Sequence, residues 1–403
     1  MFSPLIIFSL IMFLVSLSDG IMSYVAPIYI EKFVSNSFEM GLIISFSSLI
    51  GIVCDFLFSK WFPDKPYTFF IWNTLLLAIA FPLSLLFLPP TVTVFLSAMA
   101  IWGIYYELIG FSNFHFIAAF QTHDQYASSW GLLESFKSAA YMIGPLLAGL
   151  LITINFKLSF AATIGFAIAS IFGFAIFLKS FHQHRRVFTP VNPHKPSFFH
   201  TFRVWSTLWR KVWPIYLFLF TLSTVSSTFW TVGTLLSESL RGLHPYGGLL
   251  ISAHMLPSVF IGFLAGFAAR PFGKKRAAFL AGLLSGLILI PIGFVSNIPI
   301  LLILVFLSSA FGAVCWPEIS ATFEDYVTRL GKSGEDMIGL QSSAISLSYI
   351  IGPVLAGFIA TRIGNQLTFS VVGLTLALVS IFALIFVPRK IYLPQHELNT
   401  IPS

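Results

Sequence analysis

One 19-residue pattern occurs twice in this chain. Residues 131–149 read GLLESFKSAAYMIGPLLAG, and residues 339–357 read GLQSSAISLSYIIGPVLAG. Eleven positions are identical, among them Ser138/Ser346, Tyr141/Tyr349, Gly144/Gly352, Pro145/Pro353 and Gly149/Gly357. The offset is 208 residues in a chain of 403. A half-chain period describes a molecule built from two homologous halves, and both copies lie inside long apolar segments.

Composition places those halves in lipid. Hydrophobic residues make up 57% and charged residues 9%, where a soluble domain carries roughly 25% charge. A bilayer-crossing helix needs about 20 apolar residues, because hydrocarbon leaves no water to satisfy the backbone. Segments of that length lie near 4–30, 40–59, 68–88, 91–119, 128–153, 158–178, 212–237, 247–269, 277–296, 298–326, 338–361 and 366–387. The expected fold is therefore all-α, with twelve transmembrane helices arranged as two pseudo-symmetric six-helix bundles. The first bundle covers 1–179 and the second 212–388. A linker spans 180–211, its second part an amphipathic helix on the membrane surface. A short polar tail covers 389–403. The apolar N-terminus has no basic leader region or cleavage signal, so it reads as the first span.

Orientation follows from Lys and Arg. With both termini in the cytoplasm, 17 of the 22 fall in cytoplasmic segments, the asymmetry of the positive-inside rule. The net charge of +7 then reports contact with anionic lipid headgroups rather than with nucleic acid. Cys54 and Cys315 sit in apolar runs and read as small buried hydrophobes.

The repeated element, Ala140 to Gly149 and Ser348 to Gly357, resembles the Gly-Pro motif in the fifth helix of the major facilitator superfamily. Small residues at every fourth position let helices approach closely, and proline removes a helical hydrogen bond. Gly51-Ile-Val-Cys-Asp55 is similar to the start of the same family's motif between helices two and three. The basic run Gly273-Lys274-Lys275-Arg276 is similar to its end in the second half. Asp55 would then latch the cytoplasmic side. The family's arginine in the fourth helix has no counterpart in 102–110.

Charged side chains at a helix centre cost about 3 kcal/mol and usually mark pathways. Asp19 in the first helix, Glu107 in the fourth and Glu318 in the tenth are the candidates for proton or cation coupling. The resemblance implies that all three face a central cavity. Trp102, Tyr106, Glu134, Lys137, Thr224, Ser227, Trp230, His254 and Trp316 complete the expected substrate cavity. Glu134 and Lys137 share one helical face and occur only in the first copy of the repeat. Asp55, Gly144, Pro145, Gly149, Gly273, Gly352, Pro353 and Gly357 are the expected gating and structural residues.

No metal cluster, phosphate loop or catalytic triad is present, so no cofactor and no enzymatic activity are expected. The resemblance implies a monomeric secondary transporter of a plasma or bacterial inner membrane, working by alternating access. Proton coupling and efflux of an amphipathic small molecule fit the residues best. Uptake of a sugar or other metabolite, and translocation of a lipid or lysolipid, remain alternatives.

Overall fold

The computed structural model describes residues 3–62, 65–120, 126–181, 198–244, 246–260, 273–330 and 334–394. Among them the chain is all-helical. Six helices form the first half: α1 (Pro4–Glu31), α2 (Ser37–Trp61), α3 (Tyr67–Phe87), α4 (Val92–Phe120), α5 (Tyr126–Ile154) and α6 (Phe156–Ser180). In the second half, Phe198–Thr228, a π-helical turn Phe229–Gly233 and Thr234–Leu243 run end to end and are together called α7. Then come α8 (Leu250–Phe260), α9 (Lys274–Leu289), α10 (Ile298–Leu330), α11 (Gly334–Ile363) and α12 (Asn365–Phe386). Eleven of these helices are long and apolar enough to cross a membrane, and Gly247–Phe260 is a shorter apolar helix. The chain is a multi-pass membrane protein with two six-helix bundles.

Local chemistry sets where the helices start and stop. Pro4 opens α1, where its missing N–H costs nothing. The Asn36 side chain accepts the Glu39 N–H at 3.0 Å, and Glu39 accepts the Ser35 N–H at 2.9 Å, a reciprocal cap of the α2 N-terminus. Asn155 caps α6 through the Lys157 N–H at 2.9 Å. Between α11 and α12 the chain reverses at Gly364, whose φ of 91° suits a residue without a Cβ.

Packing depends on backbone proximity. In lipid the solvent is as apolar as the side chains, so helices associate where small residues bring main chains together. Gly144 of α5 faces Gly20 of α1, and Gly286 of α9 faces Gly373 of α12. A Cβ on Gly144 would lie 2.8 Å from the Gly20 carbonyl carbon, and one on Gly286 would lie 2.6 Å from the Gly373 carbonyl oxygen. Aromatic rings fill the wider gaps. Phe8 stacks on Phe116 with centroids 3.6 Å apart, and Phe81 stacks on Trp102 at 5.1 Å.

The start of α7 differs from the sequence expectation of a surface helix over the end of the linker. The helix begins at Phe198 and continues unbroken into the span. Val204, Leu208 and Val212, one turn apart, are fully buried, and Trp205 packs on Gly339 of α11. This apolar stripe finds a protein partner, while Arg203, Trp209, Arg210, Lys211 and Trp213 remain exposed. Residues 182–197 of the linker, 261–272 with Arg270, and 395–403 of the tail lie outside the described residues.

Replacing Gly144 with Val should destabilise the protein by roughly 1–3 kcal/mol through overpacking against α1. Gly165→Ala, where a Cβ meets nothing within 4 Å, should leave stability unchanged. Thermal unfolding of the purified protein in detergent measures both; equal melting temperatures for the two variants would refute the close-approach argument.

Candidate functional site

A cavity of about 450 Å³ lies between the halves, within the size range of small-molecule sites. From the first half it is lined by Ser23 of α1, Ile44, Ser47, Ser48 and Gly51 of α2, Trp102, Gly103, Tyr106 and Glu107 of α4, and Tyr141 of α5. The second half contributes Ser227, Trp230 and Thr231 of α7, Met255 of α8, and Ile345, Ser346, Tyr349 and Pro353 of α11. Aromatic faces and hydroxyls dominate. Glu107 is the one charged side chain in this lining among the described residues. Tyr106 is 39% exposed although it sits mid-helix, its free surface facing the cavity.

Asp19 is 5% exposed and stands behind the cavity wall rather than in it. Three residues of that wall hold its carboxylate. Trp102 Nε1 donates to Oδ1 at 2.8 Å, while the Tyr106 and Tyr141 hydroxyls donate to Oδ2 at 2.9 and 2.5 Å. Hydrogen bonds to a charged group contribute about 1.5–3 kcal/mol each, so three offset the insertion cost of about 3 kcal/mol. On its other side Asp19 meets a small apolar recess with Leu77, Ala78 and Phe81. The aromatic residues are thus a screen: any ligand in the cavity touches the same rings that position Asp19.

The hydroxyl-rich run of α7 is used mostly by the helix itself. Thr221, Thr224, Thr228 and Thr231 each donate to the carbonyl one turn back, at 2.6–2.8 Å. Such back-bonding satisfies a hydroxyl locally. Ser227 and Thr231 still border the cavity, and Thr224 does not. Trp230 and Thr231 lie in the π-helical turn, a local widening common at functional sites. Trp230 meets Tyr141 edge to face at 5.7 Å, closing the cavity across the halves.

Several expected cavity residues lie elsewhere. Glu318 is buried on α10 beside Cys315 and does not border the cavity. The repeat's own offset pairs Glu107 with Cys315, whose thiol donates to the Ala278 carbonyl of α9. Glu318 is three residues further on, turned by about 60° on a 3.6-residue helix. His254 stacks on Phe229 at 3.8 Å and bonds Ser309 Oγ through Nδ1 at 2.6 Å, a packing role. Trp316 packs against the hydrophobic core. Glu134 and Lys137 form an ion pair of 2.7 Å, with Glu134 half exposed. They lie outside the cavity lining, though Lys137 is one turn before Tyr141 and within electrostatic reach of Asp19. Asp55 is exposed, with no ion pair among the described residues. Gly273 (φ 78°) precedes α9.

The glycines of the repeat explain the cavity's other end, remote from the start of α1 and the end of α12. Within each half, Gly144 packs on Gly20 of α1 and Gly352 packs on Ser227 of α7. One turn further on, each copy reaches the opposite half. Gly149 meets Arg241 of α7, and Gly357 meets the Ser37 carbonyl of α2. Arg241 donates to the Gly149 carbonyl and, at 3.0 Å, to the Tyr24 hydroxyl, while pairing with Glu238 at 3.3 Å. Tyr24 in turn donates to Ser237 Oγ at 3.1 Å. Beside them the Phe38 N–H donates to Thr361 Oγ1 at 3.2 Å, and Gly41 abuts Pro353. Sequence reading missed this latch, because Arg241 and Tyr24 carry no motif. Tyr141 and Tyr349 were visible as identical positions of the repeat, but not as cavity residues.

Comparison with known proteins agrees with this architecture. Residues 220–398 match the family model of the Major Facilitator Superfamily. A multidrug efflux pump Tap of Mycobacterium tuberculosis is 27% identical over 128 residues, 30% of this chain and 30% of that protein. The match thus spans under a third of the length of the curated relatives. A peptide transporter POT in complex with sulfate superposes with a TM-score of 0.74 at 14% identity, covering 96% of this chain and 94% of that one. A bacterial homologue of the human lysosomal transporter Spinster gives 0.68 at 12%, covering 95% and 94%. The chain is thus similar in fold to these transporters along nearly its whole length, and similar in sequence to the Major Facilitator Superfamily over residues 220–398.

Proposed function

We propose that this protein is a secondary transporter that moves an amphipathic small molecule by alternating access, with proton binding at Asp19 as the coupling step. The carrying observation is the cavity between the halves, closed at one end by contacts from each half to the other. Such a site is reached from alternate sides when the halves rock. Placing the termini in the cytoplasm, as the positive charges favour, makes the latched end extracellular and this conformation open to the inside.

The lining supports the substrate class. Trp102, Trp230, Tyr106, Tyr141 and Tyr349 offer ring faces, and Glu107 supplies one negative charge. Aromatic faces attract a cation, so a flat or greasy molecule with a positive group fits better than a sugar or a peptide. Export of such a compound from a bacterial inner membrane agrees with the efflux pump among its partial relatives.

Coupling follows from the hydrogen bonds around Asp19. An ionised carboxylate accepts from Trp102, Tyr106 and Tyr141 together. A proton on Oδ2 needs an acceptor, so one tyrosine hydroxyl must turn away or accept. Both tyrosines border the cavity, so proton binding changes the surface the substrate meets. Asp19→Asn should abolish transport driven by a pH gradient in proteoliposomes while leaving folding and substrate binding intact. Undiminished proton-driven flux would overturn the coupling role.

The latch makes a separate claim. Arg241→Gln removes the charge-assisted bonds to Gly149 and Tyr24, a loss of about 2 kcal/mol. That shifts the balance between closed and open outer ends roughly 30-fold. A Thr361→Cys reporter should then react faster with a membrane-impermeant thiol reagent applied outside. An unchanged rate in the Arg241→Gln background would show that these contacts do not hold the end shut.

A further inference from the structure

A second cavity, about 730 Å³, lies at the opposite end of the molecule from the latch. It is enclosed by the start of α9, the end of α10 and the chain leaving α12. Lys274, Lys275, Arg276, Arg329, Arg389 and Lys390 surround it, with Asp325 as the single acidic side chain in its wall among the described residues. Lys274 is spent on Asp325 at 2.9 Å. Lys275 donates to the Pro388 carbonyl at 2.8 Å and Arg329 to the Ile391 carbonyl at 2.7 Å, bonds that anchor both side chains against the chain leaving α12. Arg276 and Arg389 have no ion-pair partner among the described residues. Tyr326, 3% exposed, also lines the cavity, and its buried hydroxyl lacks a partner. The remaining wall is apolar, with Phe279, Leu384 and Val387.

We infer that this basic cavity binds a phosphate-bearing anion, with the headgroup of an anionic phospholipid as the source its apolar wall favours. Converging cations require a counter-charge, and a phosphate oxygen cluster meets several guanidinium and ammonium donors at once. The cavity sits where helices end, at headgroup depth for a spanning bundle, and basic sites between helices at that level select anionic lipid. It is separate from the substrate cavity and shares no residue with it, so it stands whether or not the transport reading holds.

Titration of the detergent-purified protein with phosphatidylglycerol, phosphatidylcholine or inorganic phosphate, followed by thermal unfolding and native mass spectrometry, tests the site. Phosphatidylglycerol should raise the melting temperature and stay bound, and phosphatidylcholine should do neither. Arg276→Gln with Arg389→Gln should weaken the phosphatidylglycerol response roughly tenfold. The control pair Lys65→Gln and Lys179→Gln, at the same membrane face but outside the cavity, should keep it. A response to inorganic phosphate that the first pair also loses would assign the site to free phosphate. Equal responses to the two lipids, or equal losses in the two double variants, would overturn the proposal.

Discussion

Close approach of helix backbones at small residues is the constraint on which this structure rests. Side-chain apolarity cannot sort helices in a solvent that is itself apolar, so contact geometry must. The repeated Gly-Pro element supplies that geometry twice over. Its first glycine, Gly144 or Gly352, binds a helix to its own half at α1 or α7. Its last glycine, Gly149 or Gly357, reaches the other half near Arg241 or Ser37. One short pattern thus makes contacts both within each half and between the halves. A proline follows each first glycine, between the two contacts, at Pro145 and Pro353.

The same seam gives the cavity its chemistry. Tyr141 is one turn from Gly144, and Tyr349 one turn from Pro353, so the helices that carry the repeat bring both rings to the cavity wall. Tyr141 then does two things at once. It holds the Asp19 carboxylate at 2.5 Å and faces Trp230 of the other half. A movement of the halves that separates Tyr141 from Trp230 also acts on the donor that keeps Asp19 satisfied. On the proposed reading, the proton site at Asp19 and the substrate cavity are coupled through these shared side chains.

The helical class and the burial of a carboxylate at Asp19 were legible from residues alone, because lipid imposes length and apolarity and makes an internal carboxylate conspicuous. Rotation about the helix axis was not legible. Glu318 reads as the partner of Glu107, but a three-residue mismatch with the repeat offset turns it into the packing of α10. His254 and Trp316 went the same way, each satisfied by Ser309 or by the core. Thr224, Ser227 and Trp230 of α7 read as cavity residues, yet threonines of α7 back-bond to their own helix, which leaves Ser227, Trp230 and Thr231 at the wall and Thr224 away from it. The Arg241 latch was invisible because its partners are a carbonyl and a tyrosine 92 and 217 residues away, a relation with no local signal.

The central claim is that one protonatable carboxylate and one seam govern which end is open. Spin labels at the ends of α2 and α11 address both ends of the same helix pair: Ser35, just before α2, with Arg362 at the latched end, and Trp61 with Ile338 at the other. Double electron–electron resonance distances, recorded across a pH series, should show the outer distance lengthening as the inner one shortens. The response should vanish in the Asp19→Asn background. Distances that stay fixed at both ends across the series, or that respond equally in the variant, would contradict the account.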